Sequence, residues 1–360
     1  MGASDVDPDA LHRSSFVFDG HNDLALRILE GDDPAGPLEG GHLDVPRMRA
    51  GGFDGGVFAV WMDPSADELP ERTRAAVRRV RGWVERTDGV RLVLRAGDLA
   101  PAKDDDGIAV VLGVEGGYAI GDDASAVDAL FEAGVRCLTL TWMEPTGWAD
   151  AAGAEPRHGG LAPPGRDVVA RLEELGVAVD LSHAADTTVR DVLDVMAGPP
   201  LVSHSGLRAL ADHPRNLPDE LLVEVAGRGG ALGVNFFPGY LDEATGRAFE
   251  ALRREVGVGA LGEVGRDRLA GADGTTPSVG LERVVDHLEH ALSVAGSGAV
   301  GLGSDFDGVP VLPDGLPDVA ALPALTSLLL ERGIPAATVR GVLGGNLRRL
   351  FRQVLPGGEA

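Results

Sequence analysis

VAVDLSHAADTTVRDVLDVMAGPPLVSH, residues 177–204, reads as a strand, a helix and a second strand in direct succession. The first run, 177–183, is apolar and β-branched and stops at a Ser-His pair. Residues 186–196 repeat apolar positions at helical spacing, and a second apolar run, 200–205, reaches Ser-His again. Two strands joined through a helix lie parallel. Working outward from this unit, the same alternation recurs along the chain. Strands are predicted near 15–21, 55–62, 108–115, 135–142, 231–237 and 298–305, which with the first two makes eight. Amphipathic helices are predicted at 71–87, 124–133, 165–175, 218–227 and 278–295. Eight parallel βα units predict an α/β fold, a single (β/α)8 barrel of the TIM type, with its working face at the C-terminal ends of the strands. An open doubly wound sheet is the alternative, but no glycine-rich phosphate loop follows the first strand.

One domain is expected over 1–360, with 1–14 and 354–360 as peripheral tails. The Gly-, Asp- and Pro-rich stretch 31–50 is expected to be a loop on the working face. Residues 242–276 exceed an ordinary βα connection, so an excursion is expected there, with a helical part (242–255) and a Gly-rich part (256–276) able to cover the site. Three aspartates make 102–107 a solvated turn.

Composition narrows the function. With 360 residues and 44% hydrophobic content the chain can bury one large core. A formal charge of -24 and a single lysine, Lys103, leave no basic surface for nucleic acid. Cys137 is the sole cysteine, which excludes an intramolecular disulfide and a cysteine-built metal site, so any metal is held by His and carboxylate. The start MGASDVDPDALHRSS has no apolar core, Val6 stands where a myristoylation signal needs Ser or Thr, and no apolar run approaches the ~18 residues that span a bilayer. The expectation is a soluble cytoplasmic protein with no membrane anchor, a small-molecule substrate and an open question over a homodimer.

Six ligand-type residues fall at predicted strand ends. His21 and Asp23 in DGHND lie two apart, so both can face one ion, although Asp, Gly and Asn also close strands without metal. His183 and His204 end successive strands and could share a second ion; taken singly, each could be a hydrogen-bonded core histidine. Glu115 closes IAVVLGVE, where desolvating a carboxylate is costly unless a cation offsets it, an ion or a neighbouring Arg. A carbamylated lysine could bridge two ions, but Lys103 lies in a polar turn, which leaves Glu115 as the best bridge. Asp305 can take a proton from an attacking water and pass it to a leaving amine, and Asp307, two residues on, can serve as a turn cap. Two zinc ions carry four positive charges; Asp23, Glu115, a bridging hydroxide and Asp305 balance them.

With these residues in place, the chain resembles the membrane (renal) dipeptidase family, zinc peptidases on an amidohydrolase-like barrel. The resemblance runs from about 16 to about 352. It includes the LRAGDLAP-to-GVEGG spacing, LTLT at 138–141, WAD at 148–150, GLAPPG at 160–165, HPRNLPD at 213–219, VNFFPGY at 234–240, DFDGVP at 305–310 and GNLRRLF at 345–351. It implies two Zn2+, one on His21 and Asp23 and one on His183 and His204, with Glu115 bridging and Asp305 orienting the bridging hydroxide that attacks a dipeptide. It also implies that Arg215 binds the substrate carboxylate beside Tyr240, and that a D-residue is tolerated at the carboxyl-terminal position. The family's disulfides and anchor are absent, as in a cytoplasmic bacterial-type member. Trp142 stands where the family carries a histidine near the scissile carbonyl. An indole donates one hydrogen bond and cannot become a cation, so a slower or narrower peptidase is expected. A non-peptide amide or lactam substrate, or a zinc-stabilised binding protein that has lost turnover, are the rival readings.

Overall fold

The structure, a computed structural model, describes residues 6–99, 107–121, 123–256 and 279–357. Among the described residues nine parallel strands run β1 (Phe18–Asn22), β2 (Gly55–Trp61), β3 (Val90–Leu92), β4 (Ile108–Glu115), β5 (Val135–Thr139), β6 (Ala178–Asp180), β7 (Leu201–Ser205), β8 (Ala231–Val234) and β9 (Val300–Leu302). The sheet order is β2-β1-β9-β8-β7-β6-β5-β4-β3, and β2 also pairs with β4 from Gly55↔Ala109 to Trp61↔Glu115. That pairing closes an eight-stranded barrel, as expected for the TIM type. The ninth strand, β3, was not expected. It pairs with Ile108–Val110, below the stretch of β4 that takes β5, and is too short to carry a periodic signal.

Alternation along the strands divides the core in two. On β4, Val110, Leu112 and Val114 join the outer layer beneath the helices Leu69–Arg86, Ala126–Ala133, Pro163–Leu175, Asp186–Val195, Asp219–Gly227 and Leu281–Ala295, all close to their predicted positions. Ala109 and Val111 point inward with Phe18, Val57, Cys137, Leu201 and Ala231, and meet Leu347, Leu350 and Phe351 of the helix Asn346–Val354. That helix plugs the N-terminal end of the barrel with carbon and leaves the other end for chemistry. Halfway up, the barrel is narrow. A Cβ on Gly20 would sit 2.6 Å from the Ser203 carbonyl oxygen, and one on Gly233 or Gly303 closer still, so glycine is required at all three.

Both chain ends depart from the tails expected at 1–14 and 354–360. Pro8–Ser14 is a helix that buries Leu11 and His12, whose ring bonds Thr326 Oγ1 at 2.7 Å and the Gly51 carbonyl at 2.8 Å, and Leu355 is buried in the plug. Residues 31–50 contain a helix, Val45–Ala50, started by the Asp44 cap. The helical part of the expected excursion is present as Glu243–Val256; its Gly-rich part and the turn at 102–107 lie largely outside the described residues. Among the described residues no helix is long and apolar enough to cross a membrane.

Candidate metal centre

All six predicted residues converge at the C-terminal mouth of the barrel. His21, Asp23 and Asp305 form one group, and Glu115, His183 and His204 another, with the donor atoms of each group within 4.8 Å of one another. Glu115 Oε1 lies between them, 3.0 Å from His183 Nε2, 3.4 Å from His204 Nε2 and 3.8 Å from His21 Nε2. His21 Nε2 is also 3.5 Å from Asp23 Oδ2. His183 follows β6 with φ 66° and Asp305 follows β9 with φ 61°, a left-handed conformation that costs non-glycine residues energy and recurs at functional sites. Strand alternation therefore does not aim Asp305 and Asp307 as a pair. Asp305 turns into the centre, while Asp307 accepts from the His42 backbone N–H at 2.6 Å and donates its own to His42 Nδ1 at 2.9 Å, tying the 31–50 segment to the mouth.

Hydrogen-bond direction fixes one imidazole. Asp180 Oδ2 accepts from Thr139 Oγ1 and from Ser203 Oγ, each at 2.6 Å, and its Oδ1 accepts the Ser203 backbone N–H at 2.8 Å. Ser203 has thereby spent its one hydroxyl proton, so at 2.8 Å its oxygen accepts from His204 Nδ1. His204 is then the Nδ1–H tautomer, with the Nε2 lone pair facing Glu115 and His183. Asp19 repeats the device under the other group, accepting from Ser304 Oγ at 2.6 Å and Ser304 N at 2.7 Å. Asn235 Nδ2 donates to Asp305 Oδ2 at 2.9 Å and holds one oxygen of that carboxylate.

Burial and mutual charge set protonation. Burial drives His183 and His204 well below the ordinary histidine range, helped by the Arg215 and His21 cations, so both are neutral imidazoles. Burial works the same way on His21, but Glu115 and Asp23 outweigh it and hold this ring up at about 10. Glu115 is raised by burial against the pull of His21, and Asp305 is raised by burial and by Asp23. Neutral imidazoles beside carboxylates are the donor set of a divalent cation without cysteine. The His21 Nε2 atom is buried and makes no hydrogen bond of ordinary length, with the Asp23 and Glu115 oxygens 3.5 and 3.8 Å away, a spacing that leaves it open to bind an ion. The residues fit a metal centre.

The cleft above the centre encloses about 900 Å³, counting its open mouth. Trp142 and Tyr240 line it. Arg215 lies behind the Tyr240 ring, 5.4 Å from its centroid, donating to the His204 carbonyl at 3.1 Å and to Ser205 Oγ at 3.3 Å while its buried Nε has no partner.

The profile of the family described as Membrane dipeptidase (Peptidase family M19) matches residues 7–356. The chain belongs to this family. It is a hydrolase of the M19 metallo-dipeptidase group. It is 30% identical to mouse dipeptidase 3 over 359 residues, covering 96% of this chain and 66% of the mouse protein, just under two thirds of that relative's length. It is 30% identical to an uncharacterized dipeptidase of Schizosaccharomyces pombe over 358 residues, 93% of this chain and 80% of that one. A metallo peptidase from Rhodobacter sphaeroides, liganded with a phosphinate mimic of the dipeptide L-Ala-D-Ala, superposes with a TM-score of 0.79 at 28% identity over 95% of this chain and 100% of its own. A probable dipeptidase from Pseudomonas aeruginosa gives 0.84 at 25% identity over 96% of each chain.

Several residues of this M19 site were not singled out in the sequence. Asp180 and Ser203 sit inside the quoted VDLSH and LVSH runs, yet nothing in spacing distinguishes a carboxylate that orients a ligand from one that caps a turn. Asn235 lies in VNFFPGY and has no role until Asp305 is beside it. Trp61 ends β2 opposite Glu115, and the Trp-to-Glu pairing across two distant runs is visible only in the register. Phe249 and Glu250 line the cleft from the excursion helix, whose expected position over the site was the available signal.

Proposed function

We propose that the chain is a zinc-dependent dipeptidase that cleaves the peptide bond of dipeptides, including those with a D-residue at the carboxyl terminus. The observation that carries this reading is the single Glu115 oxygen shared by three imidazole nitrogens, with two further carboxylates on one side of it. His21 and Asp23 would hold one ion, His183 and His204 the other, and Glu115 would touch both, with Asp305 beside the first ion. When bound, such ions would acidify a water and polarise the scissile carbonyl. Asp305 would take the proton of the attacking water, a role supported by Asn235, which engages one of its oxygens and leaves the other available. The same carboxyl then gives that proton to the leaving amine, which restores its starting charge. Arg215, with its unpartnered Nε under Tyr240, supports recognition of the terminal carboxylate. The ligand of the Rhodobacter sphaeroides relative, a mimic of L-Ala-D-Ala, supports the D-residue.

The test is amine release from L-Ala-D-Ala and L-Ala-L-Ala by protein stripped with a chelator and by the same protein given back zinc. Cleavage that returns with the metal, and that is poor on the carboxyl-amidated analogues, supports the reading. Turnover of a lactam or other non-peptide amide with neither dipeptide cleaved would replace it with the amidohydrolase alternative.

A further inference from the structure

The two walls of the cleft differ in chemistry. On one side stand Trp61 at the end of β2 and Trp142 after β5, ring centroids 4.9 Å apart and inclined at 55°, with Met143 beside them. Trp142 is 7% exposed and 6.3 Å from the His183 ring, so it backs the wall, while Trp61 and Met143 are half-buried and offer the surface. Trp61 Nε1 is itself buried, so what Trp61 and Met143 turn to the opening is carbon and a thioether. The wall is braced: Tyr118 OH accepts the backbone N–H groups of Trp142 and Glu144, each at 3.3 Å, which pins the segment that carries the second indole.

Across the acidic floor of Asp23, Glu115 and Asp305, the facing wall is mixed. Phe237 lies 4.9 Å from both Tyr240 and Phe249, His213 lies 4.8 Å from Tyr240, and Glu250 completes that side. Imidazole, phenol and carboxylate let this wall tolerate polar groups. Arg215 lies on this side, under Tyr240.

The geometry points to a substrate rule: the Trp61–Trp142–Met143 wall receives the side chain of the amino-terminal residue and selects a bulky apolar one, while the mixed wall tolerates varied side chains on the carboxyl-terminal residue. This rests on the dipeptidase reading, because the assignment of ends follows from the substrate carboxylate lying towards Arg215. Apolar side chains gain by leaving water against this wall, whereas a carboxylate placed there loses its water and meets no cationic side chain among Trp61, Trp142 and Met143. A lysine could lie on the Trp61 face, but the wall supplies no carboxylate to pair its ammonium.

The experiment is kcat/KM for a matrix of dipeptides on the zinc-loaded full chain, varying one residue at a time, for wild type, Trp61→Ala and Trp61→Phe. The expected wild-type result is a preference on the order of tenfold or more for Leu, Met or Phe over Ser and Asp at the amino-terminal position, with a flatter profile at the other position. Trp61→Ala should compress the Leu-to-Ser ratio while Trp61→Phe preserves most of it, with zinc content and melting temperature recorded to show that each variant is folded. A flat amino-terminal profile in wild type, or a preference for lysine there, overturns the rule and leaves the dipeptidase reading intact. Failure of zinc-loaded wild type to cleave any dipeptide overturns that reading and the rule with it.

Discussion

The two halves of the metal centre look alike in plan and differ in what braces them. Each has a buried aspartate that takes a serine hydroxyl and the same serine's backbone N–H: Asp180 with Ser203 under β7, and Asp19 with Ser304 after β9. In the first half the chain of bonds runs on through the serine oxygen into a ligand ring, His204 Nδ1. In the second it ends in backbone, since Ser304 Oγ accepts the Phe306 N–H at 3.1 Å and so shapes the turn that presents Asp305. One half therefore controls the electronic state of a ligand and the other the position of a carboxylate. On the proposed reading the imidazole-rich half would be a holding site and the carboxylate-rich half would carry the proton chemistry.

Four changes would break or sharpen that division. Glu115→Gln should have the largest effect, because the shared oxygen loses its charge for both halves at once; elemental analysis should find both ions depleted together and turnover gone. Loss of one ion alone would mean that the halves do not share a ligand. Asp305→Asn should retain most of its metal and lose turnover by about 10²- to 10⁴-fold, the usual worth of a general acid-base group. Near-normal kinetics in that variant would move the proton role elsewhere.

Ser203→Ala and Ser304→Ala separate the braces. The first should weaken zinc binding by about 10- to 100-fold, typical for removal of an outer partner of a metal-bound histidine, whereas the second should lower kcat with metal affinity largely kept. Equal effects on affinity would erase the distinction. The smallest signal is a proton count. His21 is held up at about 10 in the metal-free protein, so it is protonated at neutral pH and must shed that proton to bind an ion. Zinc binding near pH 7 should release protons, seen by calorimetry in buffers of different ionisation enthalpy, and apparent affinity should fall as the pH is lowered. Binding with no proton release would contradict the charge state assigned to His21.

Much of this centre can be read in the linear chain, and the parts that cannot share a physical cause. His21, Glu115, His183, His204 and Asp305 are legible because each ends an apolar run, and a parallel barrel gathers the ends of its strands at one mouth. The left-handed turns at His183 and Asp305 are not legible, because they are imposed by surrounding structure against local preference. The Ser203 relay escapes too, since its meaning depends on which proton goes where, and that emerges only when Asp180 on β6 lies beside β7. The helix Pro8–Ser14 was read as tail because one buried leucine and one buried histidine in a short polar stretch give no periodicity.

The three glycines packed on the Ser203 carbonyl act as a gauge. Gly20 immediately precedes His21, Gly303 comes two residues before Asp305, and Ser203 immediately precedes His204, so the width of the barrel at this level sets how far apart the two halves of the centre stand. Even one methyl group at Gly233, which precedes no ligand, would wedge β8 away from β7. The spacing of the metal donors is in this sense a dimension of the scaffold, adjustable from a position that never touches substrate.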